Sequence, residues 1–287
     1  LGLPADYLRS YRTRLAAVTP AQLQATARQL VRADAATIVV VGDATQIHSG
    51  LSNIAPVRMV SVEGAPLTPD DLVIRAAAAD LDASKLVART DSFTILVQGN
   101  PMGWQRATLE KTAGGYRYVE DAQIGPILRQ TTELTFTDDL EMRQVKQTGK
   151  VQGQDTNIDV TYAGGRAKGS AVTPSPAGIQ PVTVDAEVPA GVLDGNAIAA
   201  LLPAFRWAPN AKFTIPVFSS GRGQLREVTL TVAGKDSVTV PAGTLEVYRV
   251  DLTGGEQPAT FFITTAEPWR VARIVFAGAP IEIVRVK

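Results

Sequence analysis

Only one residue in this chain can act as an imidazole base or metal ligand, and that is His48. It stands between Ile47 and Ser49, just after Gly42-Asp43, with no catalytic or metal-binding partner close in sequence. A surface or packing role is the simpler reading. Carboxylates cluster at Glu120-Asp121 and at Asp138, Asp139 and Glu141. Such groups can bind calcium or run acid–base chemistry. The second cluster lies between two strand-like runs, where acidic residues commonly form hairpin turns. The alternating spacing of a calcium loop is missing. Ser219-Ser220-Gly221-Arg222-Gly223 offers hydroxyls on a Gly-rich stretch, but a phosphate loop needs Gly-Lys-Ser or Gly-Lys-Thr leading into a helix. A strand follows here, so a hairpin loop is expected. Ser84-Lys85 has no supporting pattern for a Ser-Lys dyad, and a Ser-His-Asp triad would have to run through His48.

The aromatic residues offer binding rather than bond making. Trp104, Tyr116, Tyr118, Phe136, Trp207 and Trp269, with Phe205 and Phe213, could line an apolar cavity. Their competing role is to fill the core between a sheet and a helix. Pro209 and Pro268 lie close to Trp207 and Trp269 and make those two the better cavity candidates.

The totals exclude several classes. The chain has 287 residues, 45% hydrophobic and 20% charged, as ordinary globular material does. Its 28 basic and 28 acidic residues cancel, which argues against a nucleic-acid partner. There is no cysteine, so disulfides, thiolate zinc sites and Cys nucleophiles are excluded. No stretch approaches the roughly 20 apolar residues of a membrane-spanning helix. The chain starts at Leu1 already in a helical pattern, which suggests that upstream sequence, with any targeting signal, has been removed.

The elements follow from periodicity. Leu3, Tyr7, Leu8, Tyr11, Leu15 and Val18 share one helical face. Thr19, Pro20 and Gln22 form a capping-box start for a second helix, with Leu23, Ala27, Leu30 and Val31 as its stripe. The β-branched run Thr37–Val41 predicts a buried strand, and Val57–Val62 a second. Residues 64–92 read as a connector, with a short helix around Ala76–Ala79. From Phe93 onward the pattern changes: all three Trp and all eight Phe lie there. Period-two runs recur at 93–98, 106–110, 116–119, 132–136, 157–162, 212–215, 226–232, 245–250, 259–263, 271–276 and 281–286, with Gly-containing turns between many of them. This predicts a large antiparallel sheet. One helix interrupts it, capped by Asp194, with Ala197, Ile198, Leu201 and Leu202 on its buried face and Pro203 near its end.

Two resemblances add to this reading. The phrases Pro4-Ala5-Asp6-Tyr7, Ala17-Val18-Thr19-Pro20-Ala21-Gln22 and Thr37-Ile38-Val39-Val40-Val41-Gly42-Asp43 resemble the end of an insulinase-like (pitrilysin-like) zinc peptidase unit, over residues 1–63. That family holds zinc with His-x-x-Glu-His, two imidazoles one helical turn apart. A chain with one histidine cannot supply it, so the resemblance implies a non-catalytic part, with zinc only upstream. The stretch Val238-Thr-Val-Pro-Ala-Gly-Thr-Leu-Glu-Val-Tyr-Arg-Val250, followed by 260–264 and 268–274, resembles LolA-like half-barrels of the bacterial envelope, over residues 90–287. That implies a curved sheet around a helix or an apolar ligand, in the periplasm or cell envelope.

The expectations are therefore an α+β chain: a helix–helix–strand segment (1–63), a connector (64–92), and a curved antiparallel half-barrel of about ten strands with one packed helix (93–287). It carries no catalytic residue and no metal site. Its expected role is an accessory or scaffold domain leaning on a peptidase body or another copy of the chain. The alternative is a carrier of a lipophilic ligand or peptide.

Overall fold

The computed structural model describes residues 6–31, 36–42, 44–61, 64–72, 78–175 and 178–286. The chain divides into two compact units, Leu1–Leu72 and Val73–Lys287.

In the first unit, α1 (Tyr7–Ala16) and α2 (Pro20–Leu30) form where the helical spacing places them. The capping box at Thr19 is complete. The Gln22 backbone N–H donates to Thr19 Oγ1 at 3.3 Å, and the Thr19 N–H donates to Gln22 Oε1 at 2.9 Å. These bonds satisfy donors that the helix itself leaves open. The expected strand at Thr37–Val41 does not form. Ile38 and Val41 are 86% and 95% exposed. A β-branched run becomes a strand only when another backbone edge takes up its hydrogen bonds, and here none does. Helix α3 (Ala44–Ser52) follows instead and carries His48, whose Nε2 lies 3.2 Å from Ser52 Oγ. Strand β1 (Met59–Val60) pairs with β2 (Pro66–Leu67), a shorter element than the expected Val57–Val62. Asp43, Val62, Ala76 and Ala77 lie outside the described residues.

The second unit is one sheet of fifteen strands. In chain order they are β3 (Arg89–Val97), β4 (Asn100–Thr112), β5 (Gly115–Ile124), β6 (Leu128–Phe136), β7 (Met142–Val151), β8 (Gln154–Ala163), β9 (Arg166–Ser175) and β10 (Gly178–Glu187). Then come β11 (Leu193–Asp194), β12 (Lys212–Ser219), β13 (Gln224–Val240), β14 (Gly243–Thr253), β15 (Ala259–Thr264), β16 (Val271–Phe276) and β17 (Ile281–Arg285). Spatially the sheet runs from β10 back to β3, then β17 back to β11. Almost every strand thus pairs with its chain neighbour in an antiparallel meander. The exceptions are β17 with β3, which joins the two ends of the unit, and the parallel pair β11 with β12. The sheet curls into an unclosed half-barrel, the α+β architecture expected from the sequence, with more strands than expected.

Strict alternation explains why the strands form. In β8 the even-numbered residues from Thr156 to Tyr162 are buried and the odd ones exposed. The missed strands β7, β9 and β10 are rich in Lys, Gln, Thr, Gly and Ala, so their apolar period is faint. Close approach between strands demands glycine at one place in particular. A Cβ at Gly149 on β7 would lie 2.3 Å from the Arg129 carbonyl oxygen on β6.

The concave face carries the main core. It gathers Leu134, Phe136, Val145, Val160, Phe218 and Val250, among many others, against a helical segment over residues 195–204. That segment is a 3-10 turn (Gly195–Ala197), α4 (Ile198–Leu201) and a second 3-10 turn (Leu202–Ala204). Asp194 caps it as expected, accepting from the Asn196 N–H at 2.8 Å. The long strand β13 changes face midway. Val228, Leu230 and Val232 join the main core, whereas Val238 and Val240 join a smaller cluster with Val247, Ala272 and Val284. All five β13 residues are even-numbered, so the register shift between Val232 and Gly234 must reverse the alternation. The smaller cluster therefore lies on the opposite face of the sheet.

Candidate functional site

A cavity of about 430 Å³ in the second unit lies between the concave face and the helical segment. That is within the range of roughly 300–1,000 Å³ typical of small-molecule sites. Alternation along the strands supplies its apolar wall, including Ile158, Val217, Val228, Leu252, Phe261 and Ile274. Ala199 lines it from α4.

At the inner end Tyr118 and Gln105 converge on one carboxyl. The Tyr118 hydroxyl and Gln105 Nε2 each donate to Glu120 Oε2 at 2.9 Å. Glu120 keeps some accessible area because it borders the cavity, yet protein surrounds it. That burial pushes its carboxyl up, the nearby Asp121 adds to the rise, and the Tyr118 hydrogen bond opposes it. Burial also drives the Tyr118 hydroxyl up. A second polar group anchors the helix. Asp194 Oδ2 accepts from the Tyr162 hydroxyl at 2.6 Å, and Oδ1 accepts from Asn196 Nδ2 at 2.7 Å. Burial raises the Asp194 carboxyl despite these donors. Gln147 Nε2 links the sheet to this cap, donating to Thr132 Oγ1 at 3.0 Å and to Asn196 Oδ1 at 3.4 Å.

The solvent end is formed by the turn 219–223 and the loop 255–257. Arg222 Nε donates to Glu256 Oε2 at 2.9 Å, and Ser219 Oγ donates to the other oxygen of the same carboxylate. Burial alone would raise Glu256. The bonds from Arg222 and Ser219, with the charges of Arg222 and Arg226, outweigh it and hold the group below the usual carboxylate range. Of the sequence-derived candidates, Tyr118, Glu120 and residues 219–222 of the Gly-rich loop line the cavity.

Three arginines gather behind the inner end. Asp91 Oδ2 accepts from Arg89 Nε at 2.9 Å and its Oδ1 from Arg285 Nη2 at 2.7 Å. Arg270 stands near them, its Nη1 donating to the Trp269 carbonyl at 3.1 Å. Burial, then the charge of Arg89, lower the Arg270 guanidinium; Asp91 opposes this and Arg285 reinforces it.

The six aromatic candidates separate. Tyr118 lines the cavity. Tyr116 is buried and donates its hydroxyl to the Ala83 carbonyl at 3.1 Å. Phe136 is core. Trp207 is also buried: its Nε1 donates to the Leu202 carbonyl at 2.8 Å, and its ring stacks on Phe205 at 5.4 Å and meets Phe213 edge-on. Trp269 packs partly buried against the main core, and Trp104 is 48% exposed. Adjacent acids also part. Glu120 faces inward while Asp121 accepts from Thr131 Oγ1 at 2.6 Å on the other face. Asp138 and Asp139 occupy the turn between β6 and β7, where Lys111 Nζ reaches Asp138 at 2.6 Å. Ser84 Oγ donates to Asp82, and Lys85 pairs with Glu267, so the two residues engage different partners. Sequence reasoning missed Gln105, Glu120 as an inward group, and the arginines. The signal for Glu120 was its parity with Tyr116 and Tyr118. The arginines carried none, because Arg89 and Arg285 are nearly two hundred residues apart.

Residues 97–283 match a family described as "Protein of unknown function (DUF3108)". No curated protein matches the chain. Among solved structures, a beta-barrel-like protein of domain of unknown function DUF1849 from Brucella abortus is similar over 71% of this chain and 96% of its own, at 10% identity and a TM-score of 0.42. These findings correct both resemblances. The family match covers the strands on which the LolA-like reading rested and names a different family. Nothing supports an insulinase-like unit in residues 1–63. There the strand central to that reading is absent. The peptidase parentage, and the upstream zinc it implied, fall with it. Among the described residues no helix is long and apolar enough to cross a membrane.

Proposed function

This chain belongs to the DUF3108 family, and we propose that its β unit is a non-catalytic binding domain for a small lipophilic ligand held in the half-barrel cavity. The observation that carries this reading is the cavity itself: an apolar wall with polar groups at both ends, roofed by a helical segment that hydrogen bonds tie to the sheet and to its own cap. Such a wall draws an apolar chain out of water by about 25 cal/mol per Å² of apolar surface buried. Polar groups at the two ends then fix its orientation.

The test uses a neutral fluorescent probe, N-phenyl-1-naphthylamine, with the full chain. Wild type is expected to bind it saturably. Ala199→Trp, which places an indole in the cavity from a position that is not packed in the core, is expected to weaken binding by at least about tenfold with unchanged circular dichroism. Equal binding by the two proteins would overturn the reading. Mass spectrometry of the organic extract of freshly purified chain identifies any ligand carried through purification.

A further inference from the structure

Behind the inner end of the main cavity lies a second, much smaller one of about 20 Å³. The two share Gln105, Tyr118, Ala199 and Ile274, so they adjoin each other. Arg89, Asp91 and Arg270 border the small one.

The charges there do not balance. Arg89, Arg270 and Arg285 contribute three guanidiniums, and among the described residues Asp91 is the one carboxylate that pairs with any of them. Glu120, an acid on the wall of the main cavity, has its carboxyl pushed up by burial. The side chain of Arg89 is 8% exposed. Its Nε reaches Asp91 and its Nη2 donates to the Ala200 carbonyl at 3.2 Å, but its Nη1 is buried without a hydrogen-bond partner. Buried guanidinium donors are costly to leave unpaired. A water could accept from Nη1 but would leave the excess positive charge in place.

We propose that the small cavity receives the carboxylate of a monocarboxylic amphiphile, facing Arg89 Nη1 and Arg270, while the apolar chain of the same molecule lies in the main cavity; this rests on the ligand-binding reading above. Size favours a carboxylate over larger oxyanions. A void that holds one water needs about 10–15 Å³, so this one admits a single oxygen or little more.

The experiment compares sodium dodecanoate with dodecan-1-ol by titration calorimetry on the full chain. Wild type is expected to favour the acid by at least about tenfold. Arg270→Gln is expected to abolish that preference while leaving the alcohol's affinity unchanged, and Arg270→Lys to restore part of it. Arg270 makes no ion pair among the described residues, so its replacement leaves the Arg89–Asp91–Arg285 cluster intact. Arg89→Gln is the second variant, with the same loss expected. Equal affinity for acid and alcohol in wild type overturns the carboxylate assignment and leaves the cavity reading standing. A preference for the acid that survives both replacements also overturns the assignment. Failure to bind either compound overturns both readings.

Discussion

Glu120 and Asp194 are carboxyls that burial holds toward their neutral forms, and this has a definite consequence for stability. A group whose folded pKa lies above its unfolded value contributes stability below the unfolded pKa, and that contribution is lost as pH rises through the folded one. Glu120→Gln keeps an oxygen that can accept from both Tyr118 and Gln105 but cannot ionise. The variant is therefore expected to melt higher than wild type at alkaline pH, with the difference shrinking toward zero at acid pH. A constant difference across a pH series of melting curves would show that Glu120 titrates in the fold as it does in the unfolded chain. Asp194 keeps its own slope in both proteins. Tyr162→Phe tests the anchor of the helical segment: loss of the 2.6 Å bond to a buried carboxyl is expected to cost about 1–3 kcal/mol, read from the denaturant midpoint. An unchanged midpoint would show that the Tyr162 bond does not hold the segment down.

At the scale of elements, curvature is built from strand contacts too tight for side chains. Gly149 sits where a Cβ would meet the backbone of β6, with the Gln130 Cα at 2.8 Å as well as the Arg129 carbonyl. The two strands must separate for any larger residue. Gly149→Ala is expected to destabilise the unit by about 1–3 kcal/mol, as overpacking does. A chemical denaturation curve superimposable on wild type would show that the sheet yields there at no cost. The bulge in β13 works differently. One unpaired residue re-aims Val238 and Val240 to the other face, so a single strand serves two apolar clusters. Helices α1 and α2 contrast with the sheet. Thr19 caps α2, but no residue of either helix is buried, so local propensity rather than packing accounts for their form.

At the scale of the molecule, every buried apolar residue found lies between Leu86 and Val284, inside the second unit. The second unit thus carries a buried core of its own. A chain of residues 73–287 is expected to unfold in one cooperative transition, at a midpoint close to that of the corresponding transition in the full chain. Aggregation or loss of that transition on truncation would show that the first unit supports the second. The edge strand β10 carries exposed Pro181, which offers no N–H to a neighbouring chain, one of the ways sheet edges resist self-association.

Alternation of side chains determined the existence of most of the strands, because a two-residue period is written residue by residue. The Asp194 cap and the Thr19 capping box were equally legible, since both are made by residues two or three apart. The run Thr37–Val41 misled because a strand needs a partner edge, and no local pattern reports whether one arrives. The polar strands β7, β9 and β10 hid for the converse reason: their neighbours, not their own composition, hold them in the sheet. Only the tertiary structure could set Arg89 beside Arg285 or turn Glu120 toward a cavity and Asp121 away from it. Those placements depend on how far the sheet curls and on which strand closes against which. That is a sum of many weak contacts between distant residues, and no short stretch of sequence contains it.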